Sequence, residues 1–377
     1  MKQILFNNLK NLPGWSSSRK LLAFAVDDYA AVRVASSHAQ QRLANSGLNL
    51  SGHMDRYDAM ETRADLEALF EVLDSVRDVH GRPAIFTAYA LSANPDFDAI
   101  LRSPTGGYVL EPVTQTFVRL EAEQPAAYRG AWSLWKEGIS RRLIRPQFHG
   151  REHLNVRLFE TKLFNGSKDL RANLQNRSLA GLTGDESMPG VGFYQAFAVH
   201  DDQCLELHRG IIEEGMKLFE ACYGYKSVTF TPPGQVISPL LYPVCERRGI
   251  RLIHKPRFSE RKVRSGEHCR EVCWTGKQRK MNHLSMVRNV VFEPGQKGDS
   301  IDIKRVKDQV AAAFKWSKPA IISSHRVNFC GHIDECYRSK SLAVLANLLN
   351  LIVNEWPDVE FVSVDEIADF MKNDYKN

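Results

Sequence analysis

The sequence predicts an α/β fold, specifically a (β/α) barrel or a closed relative of one. Short apolar segments typical of buried strands alternate with helical segments along most of the chain. Acidic residues and histidines follow the ends of several of these strands, where parallel sheets and barrels place their active sites. No glycine-rich nucleotide-binding fingerprint is present, and this disfavours a dinucleotide-binding sheet.

The predicted strands are runs of apolar residues bounded by turn signals. They cover residues 21–26, 83–89, 147–149, 227–231, 250–254, 286–292, 320–324 and 359–364. Thr62 and Asp65 form a capping-box pattern, which predicts the start of a helix whose apolar face extends to Val76. Further helices are predicted over 152–163, over 211–223 with Gly224 as its C-cap, and over 365–372.

The segment 91–145 interrupts this alternation and is predicted to be a helical insertion that covers the mouth of the barrel. It is rich in aromatic residues, which form either a local core or a platform for stacking sugars: Tyr108, Phe117, Tyr128, Trp132 and Trp135. No repeat or low-complexity linker indicates a second domain, so residues 1–377 are expected to form one barrel domain.

Charge is unevenly distributed along the chain. The formal net charge is +6, and much of the excess lies between Arg247 and Lys280. This basic segment is either a solvated loop or a lip that attracts an anionic glycan. Nucleic acid is not an expected partner, because few aromatics are interleaved with these cations and no known nucleic-acid module is apparent.

The expected location is the cytoplasm. Residues 1–15 include Asn7 and Asn8 where a signal peptide needs an unbroken apolar core, and no apolar stretch is long enough to span a bilayer. The seven cysteines are scattered without a regular framework, a pattern that suits a reducing compartment. Oligomeric state is left open by these features.

Two motifs supply the chemistry of a metal-dependent hydrolase. Asp27 and Asp28 end the first predicted strand, and His149 and His153 follow the third. Separately, an Asp-Asp pair is often a solvated turn or helix cap, and two histidines at this spacing are often unconnected surface residues. Together they offer the carboxylate and imidazole ligands that borderline metals prefer. Two further segments, 231–234 and 323–325, follow them in the chain.

These motifs, in this order, resemble the polysaccharide deacetylase family of metal-dependent carbohydrate esterases, which have a distorted (β/α)7 barrel. The resemblance covers most of the chain and implies that Asp27 is the general base. It implies that Asp28, His149 and His153 bind a divalent metal. The segment Ile321 to His325 matches the family's late strand, which makes His325 the expected catalytic acid.

The match departs from the family pattern at three places. Tyr29 replaces a small residue, Thr231 stands where the family has the arginine that tethers the base, and no Asp-x-x-Asp-Trp motif occurs near Ile253. Arg288 and Glu293, which flank another predicted strand, are further candidate site residues. Substrate contacts, or else ordinary loop hydrogen bonds, are expected from residues beside the motifs: Tyr29, Arg151, Glu152, Pro233, Arg326 and Asn328.

The leading functional hypothesis is removal of N- or O-linked acetyl groups from a carbohydrate. Zinc is the expected metal because two imidazoles and one carboxylate suit it, although nickel, cobalt or iron would also fit. A glycoside hydrolase or lyase on the same barrel is an alternative that needs a second acid, from Glu152, Asp202 or Glu206. A non-catalytic carbohydrate-binding barrel is the third possibility.

Overall fold

The computed structural model describes residues 2–103, 107–278, 283–295 and 303–374, with only the backbone described at Lys2 and Arg261. The strands are β1 (Lys20–Tyr29), β2 (Phe86–Leu91), β3 (Ala93–Pro95), β4 (Leu110–Pro112), β5 (Ile144–Gly150), β6 (Thr229–Phe230), β7 (Leu252–His254), β8 (Phe258–Arg264), β9 (Glu267–Val272), β10 (Leu284–Met286), β11 (Val290–Val291), β12 (Ala320–His325) and β13 (Val359–Phe361).

The helices are α1 (Lys2–Leu9), α2 (Ser37–Asn45), α3 (His53–Tyr57), α4 (Arg63–Asp74), α5 (Phe97–Arg102), α6 (Val113–Glu123), α7 (Pro125–Tyr128), α8 (Ala131–Ser140), α9 (Val156–Phe164), α10 (Lys168–Gln175), α11 (Gln203–Tyr223), α12 (Tyr242–Arg247), α13 (Ile303–Lys315), α14 (Glu335–Glu355) and α15 (Val364–Asp374). None of these described helices is long and apolar enough to cross a membrane.

The main sheet is a parallel sheet curled into a half-barrel, with helices around it. Its strand order is β10-β7-β6-β5-β2-β1-β12-β11, and β13 pairs with the start of β1. The two edge strands, β10 and β11, are separated only by Val287, Arg288 and Asn289. Counted as one interrupted strand, they give seven positions around the sheet, which confirms the predicted distorted (β/α) barrel.

Strand β1 shows how the barrel core is divided. Leu22, Phe24 and Val26 belong to the large cluster that includes the helical layer, whereas Ala23 and Ala25 belong to a second cluster with Met286 and the helix α15. This alternation follows from the two-residue period of a strand, which sends successive side chains to opposite faces. Both faces of β1 are buried, as expected for a parallel strand with helices outside it.

Local sequence signals fixed several boundaries correctly. Thr62 and Asp65 form both hydrogen bonds of the capping box that begins α4, and Gly224 ends α11 in the left-handed conformation. The helix predicted over 152–163 was placed too early. It begins at Val156, where the side chain of Asn155 accepts a hydrogen bond from the backbone N–H of Leu158 (3.0 Å). His153 therefore lies in a loop and not on a helix.

The segment 91–145 contains the short antiparallel pair β3–β4 and the helices α5 to α8. Its aromatic residues form a core instead of an exposed sugar-stacking surface. The ring of Trp132 lies 5.2 Å from that of Phe117 and 6.2 Å from that of Trp135, and both tryptophans approach Tyr223 of α11. Leu91, Asn94 and Pro95, near the start of the segment, line the cavity described below.

Candidate metal centre and active site

The end of strand β1 is irregular at the two aspartates. Consecutive residues of a regular strand point to opposite faces, yet Asp27 and Asp28 both line the same cavity. The pairing of β1 with β2 shifts register between Val26 and Tyr29, and Asp28 has a positive φ of 74°. Such a bulge redirects side chains, and aspartate is one of the few residues that tolerates this backbone conformation. The bulge brings both carboxylates into one site.

Asp28, His149 and His153 form one compact cluster. The Oδ1 atom of Asp28 lies 3.1 Å from Nε2 of His149 and 3.1 Å from Nε2 of His153. Among the described residues, these three form the group of potential ligands that could hold a metal ion. Two ligand atoms bound to one tetrahedral zinc ion are about 3.3 Å apart, so the observed spacing fits such an ion.

A hydrogen bond at Nδ1 of His149 determines which tautomer the neutral ring adopts. The Nδ1–H of His149 donates to the backbone carbonyl of Thr231 (2.7 Å), because a carbonyl can only accept. In the neutral ring, Nε2 then carries a lone pair that faces the carboxylate oxygen of Asp28. A cation between these atoms would relieve their repulsion, and a backbone partner of this kind is usual for metal-binding histidines. The residues present therefore fit a divalent metal.

The chain reaches from His149 to His153 through a sharp turn at Gly150. This glycine has a φ of +137°, and a Cβ atom at this position would lie 3.2 Å from the carbonyl oxygen of Glu152. Glycine is favoured here because other residues rarely adopt this conformation. The turn places the ring of His153, which lies in a loop, 5.0 Å from the ring of His149, which lies in strand β5.

Arg288 provides the cation that pairs with Asp27. Its guanidinium donates to both carboxylate oxygens of Asp27, at 2.5 and 2.7 Å, and also to the hydroxyl of Thr231 at 3.2 Å. The expectation that no arginine tethers Asp27 is therefore wrong. Arg288, which lies between β10 and β11, pairs with this carboxylate. Burial raises the pKa of Asp27, but the charge of Arg288 outweighs this and holds the pKa below its usual value.

His325 lies beside Asp27, because strands β1 and β12 pair these two residues in register. Nε2 of His325 is 3.9 Å from Oδ2 of Asp27, and Nδ1 is 2.7 Å from Oε1 of Glu293. Burial lowers the pKa of His325, but the carboxylate of Glu293 and the two aspartates raise it to about 10. Asn328 donates to the second oxygen of Glu293 (2.7 Å), so it holds the carboxylate that orients the histidine.

All five predicted catalytic and metal-binding residues line one cavity of about 240 Å³. Apolar side chains form much of its wall: Val32, Met54, Leu91, Leu154, Leu179 and Pro232. Its polar wall includes Arg33, whose guanidinium stacks 3.7 Å from the ring centre of Tyr194 and pairs with Asp55 at 2.6 Å. A partly apolar cavity with a few convergent polar groups is typical of small-molecule sites.

Three of the predicted substrate contacts lie away from the cavity. The ring of Tyr29 is buried edge-on against Trp135, at 5.7 Å between ring centres. The guanidinium of Arg326 is completely buried and pairs with Asp58 and Glu61, each at 2.9 Å. Asn328 supports Glu293 as described. The bulge explains why the ring of Tyr29 lies outside the cavity, since it turns the residue after the aspartates toward the helical layer.

The remaining candidates lie at or near the cavity wall. Glu152 lines the cavity and accepts a hydrogen bond from Arg151 (2.5 Å), whose guanidinium also pairs with Glu214. Pro232 and Gly234 line the wall, whereas Pro233 between them packs near Gly150. The alternative acids proposed for glycoside hydrolysis, Asp202 and Glu206, are not among the residues lining the cavity.

The basic segment includes the antiparallel hairpin β8–β9, and Arg279 and Lys280 lie outside the described residues. Arg264 pairs with Glu267 (2.7 Å) and Arg270 with Glu260 (3.1 Å). The Nζ atom of Lys262 donates to the carbonyl of His200 (2.7 Å). No described residue of the segment lines the cavity. These contacts favour the interpretation as a surface hairpin.

No family model and no curated protein matches the sequence. Among solved structures, a candidate polysaccharide deacetylase from Mycobacterium smegmatis is 11% identical with a TM-score of 0.46, covering 96% of this chain and 94% of that chain. A candidate polysaccharide deacetylase from Pseudomonas aeruginosa PAO1 is 9% identical with a TM-score of 0.46, covering 93% and 90%. A 4-alpha-glucanotransferase from Thermococcus litoralis is 10% identical with a TM-score of 0.46, covering 93% and 40%.

Two of these three structures carry the name of the family that the motifs resemble. Because the identities are so low, we base the functional assignment on the geometry of this chain's own site.

Proposed function

We propose that this protein is a metal-dependent hydrolase that removes N- or O-linked acetyl groups from a carbohydrate. One observation supports this above all: the cluster of Asp28, His149 and His153 lies in the same cavity as two differently charged proton-transfer groups. Asp27 is held as a carboxylate by Arg288, and His325 is held as an imidazolium by Glu293. Hydrolysis of an amide or ester needs both a base and an acid.

Asp28, His149 and His153 would hold the metal, with zinc as the leading candidate for a site of two imidazoles and one carboxylate. A bound divalent metal would lower the pKa of water and polarise the acyl oxygen of the substrate. The carbonyl of Thr231 keeps the ring of His149 oriented for this role.

Asp27 would accept a proton from the attacking water. Its carboxylate is unprotonated at neutral pH, because the buried pairing with Arg288 keeps the pKa low. The two hydrogen bonds from Arg288 also fix the carboxylate in place, so that it remains next to the site of reaction.

His325 would donate a proton to the leaving oxygen or nitrogen of the sugar. The pKa of about 10 means that the ring carries this proton at neutral pH. The Nδ1–H is committed to Glu293, so the proton on Nε2, the nitrogen nearer Asp27, is the one available for transfer. This acid and the base Asp27 line the same cavity, so both can reach one bound substrate.

The size of the cavity sets the part of the substrate that enters it. A volume of about 240 Å³ is smaller than the ~300–1,000 Å³ typical of sites for drug-sized molecules. We therefore expect one acyl group and one sugar ring to be enclosed, with the remainder of any longer glycan outside. The apolar wall formed by Val32, Met54 and Leu154 suits the methyl group and the ring faces.

The test is release of acetate from acetylated sugars by the zinc-loaded protein. Acetylated amino sugars and acetylated xylose oligomers would be supplied, and acetate and reducing ends would be measured separately. Acetate release that disappears in Asp27→Asn and in His325→Gln supports the proposal. New reducing ends without acetate would show a glycoside hydrolase, and neither product from a metal-loaded, folded protein across both substrate types would contradict a catalytic role.

A further inference from the structure

The first helix has its apolar side chains on the outside. In α1 and the turn after it, Ile4 and Leu5 are each 61% exposed, Leu9 is 52% exposed and Leu12 is 48% exposed. Asn7 and Asn11 of the same segment are buried. A surface helix of a globular protein normally buries its apolar face and exposes its polar one. The orientation of this helix is therefore reversed.

Specific hydrogen bonds hold the helix in this orientation. The side chain of Asn11 accepts a hydrogen bond from Asn289 (2.8 Å) and donates to the backbone carbonyl of Asn7 (2.8 Å). The indole N–H of Trp316 donates to the side chain of Asn8 (2.9 Å). Since its polar side chains bind the barrel directly, the helix is anchored with Leu5 and Leu9 facing outward.

A shallow basic depression lies beside the helix. Lys10, Arg257 and Lys318 line it, and the described residues around it include no acid. Among the described residues, neither Lys10 nor Arg257 forms an ion pair with a carboxylate. Burial, with a smaller contribution from the charges of Arg257 and Arg305, lowers the pKa of Lys10 to about 8.

We propose that this surface docks the protein onto a membrane rich in anionic phospholipid. We call it the α1 surface and define it by the exposed side chains of Ile4, Leu5, Leu9 and Leu12 with the cations Lys10 and Arg257. Apolar side chains that enter the boundary between headgroups and acyl chains, next to cations that meet lipid phosphates, are the features of interfacial membrane binding.

A second copy of the chain is the less favoured occupant. A two-fold interface uses the same patch on both copies, so Lys10 and Arg257 of one copy would enter the same interface as those of the other. Like charges placed opposite each other oppose association. A negatively charged lipid surface complements the same cations.

Docking through the α1 surface would leave the cavity accessible. Lys318, which lines the depression beside this surface, lies two residues before the start of β12, and His325 of the cavity ends that strand. At about 3.3 Å per residue, the two are separated by roughly 20 Å along the strand. The α1 surface and the candidate active site are therefore at different ends of the barrel, and the inference does not depend on the proposed function.

The test is co-sedimentation of the full chain, tagged only at its C-terminus, with vesicles. One set would contain phosphatidylcholine alone and the other equal parts of phosphatidylcholine and phosphatidylglycerol. We expect binding to the anionic vesicles that weakens with added salt. Leu5→Ser combined with Leu9→Ser should lower the partition coefficient about tenfold or more, and Arg257→Gln should lower it roughly fivefold.

Two control variants are matched to these changes. Phe164→Ser removes an apolar side chain that is 92% exposed elsewhere on the surface, and Lys136→Gln removes an exposed charge of α8. Both should bind vesicles like the native chain, and circular dichroism would confirm that all variants are folded. Absence of binding to anionic vesicles, or equal binding by the leucine variant, would overturn the proposal. So would a native dimer that the leucine variant converts to a monomer, because a second copy would then be the occupant.

Discussion

Arg288 and Asp27 form a bidentate ion pair across 261 positions of the chain, with donor–acceptor distances of 2.5 and 2.7 Å. Both side chains are almost completely buried, at 4% and 7% exposure. The pair connects the gap between β10 and β11 to the bulged end of β1. It therefore joins two irregular features of the barrel and places both at the candidate active site.

Removing this cation should change the pH dependence of activity. In Arg288→Met the buried carboxylate of Asp27 loses its partner, so its pKa should rise. A base acts only when unprotonated, and the acid limb of kcat/KM should therefore move to higher pH, with turnover at neutral pH falling roughly a hundredfold. Arg119→Met, which breaks a pair with Glu111, is the matched control. An unchanged acid limb in Arg288→Met would contradict the role of this residue.

Glu293 should control the alkaline limb in the same way. Its carboxylate raises the pKa of His325 to about 10, and Glu293→Gln should bring that pKa down toward the usual value for histidine. Activity that depends on protonated His325 is lost as pH rises through this pKa, so the alkaline limb should shift to lower pH. The measurement is a kcat profile with metal content held equal. A limb that stays in place would show that His325 is not the titrating acid.

Arg326 is predicted to affect stability instead of substrate binding. Its fully buried guanidinium neutralises Asp58 and Glu61, and Arg326→Met would leave two buried carboxylates without their partner. Removing one member of a buried ion pair costs about 3–5 kcal/mol. Urea unfolding should show a loss of this size. Native stability together with a raised KM would instead indicate direct contact with substrate.

The basic hairpin should have little influence on catalysis. Lys262 and Arg264 are engaged by His200 and Glu267, and neither lines the cavity. If Lys262→Gln and Arg264→Gln are combined, the dependence of kcat/KM on salt should match that of the native chain, because steering requires charges near the site. A clearly weaker salt dependence in the variant would restore the interpretation as a lip for anionic glycans.

The sequence was most informative where structure depends on neighbouring residues. The capping box at Thr62 and the C-cap at Gly224 are decided within one helical turn, and both were predicted. The resemblance to the polysaccharide deacetylase family also predicted that Asp28, His149 and His153 converge, and the three side chains do form one cluster. Parallel strands make such convergence possible because they bring their carboxyl ends to one edge of the sheet.

Long-range partners were harder to predict. The importance of Arg288 depends on its contact with Asp27, and that of Glu293 on its contact with His325; neither contact has a local signal. The bulge at Asp28 reverses the direction expected for Tyr29, and the burial of Arg326 depends on two acids far away in the chain. Such positions require the packed structure, since the same residues could equally be exposed.

Asp28, His149 and His153 are proposed to bind one metal ion, whereas Asp27 is not. The most direct test of this assignment is elemental analysis of untagged protein after loading with zinc and gel filtration. The native chain and Asp27→Ala should each retain about one zinc ion, whereas Asp28→Ala, His149→Ala and His153→Ala should each lose most of it. Full zinc retention in both histidine variants, or loss of zinc in Asp27→Ala, would contradict the assignment.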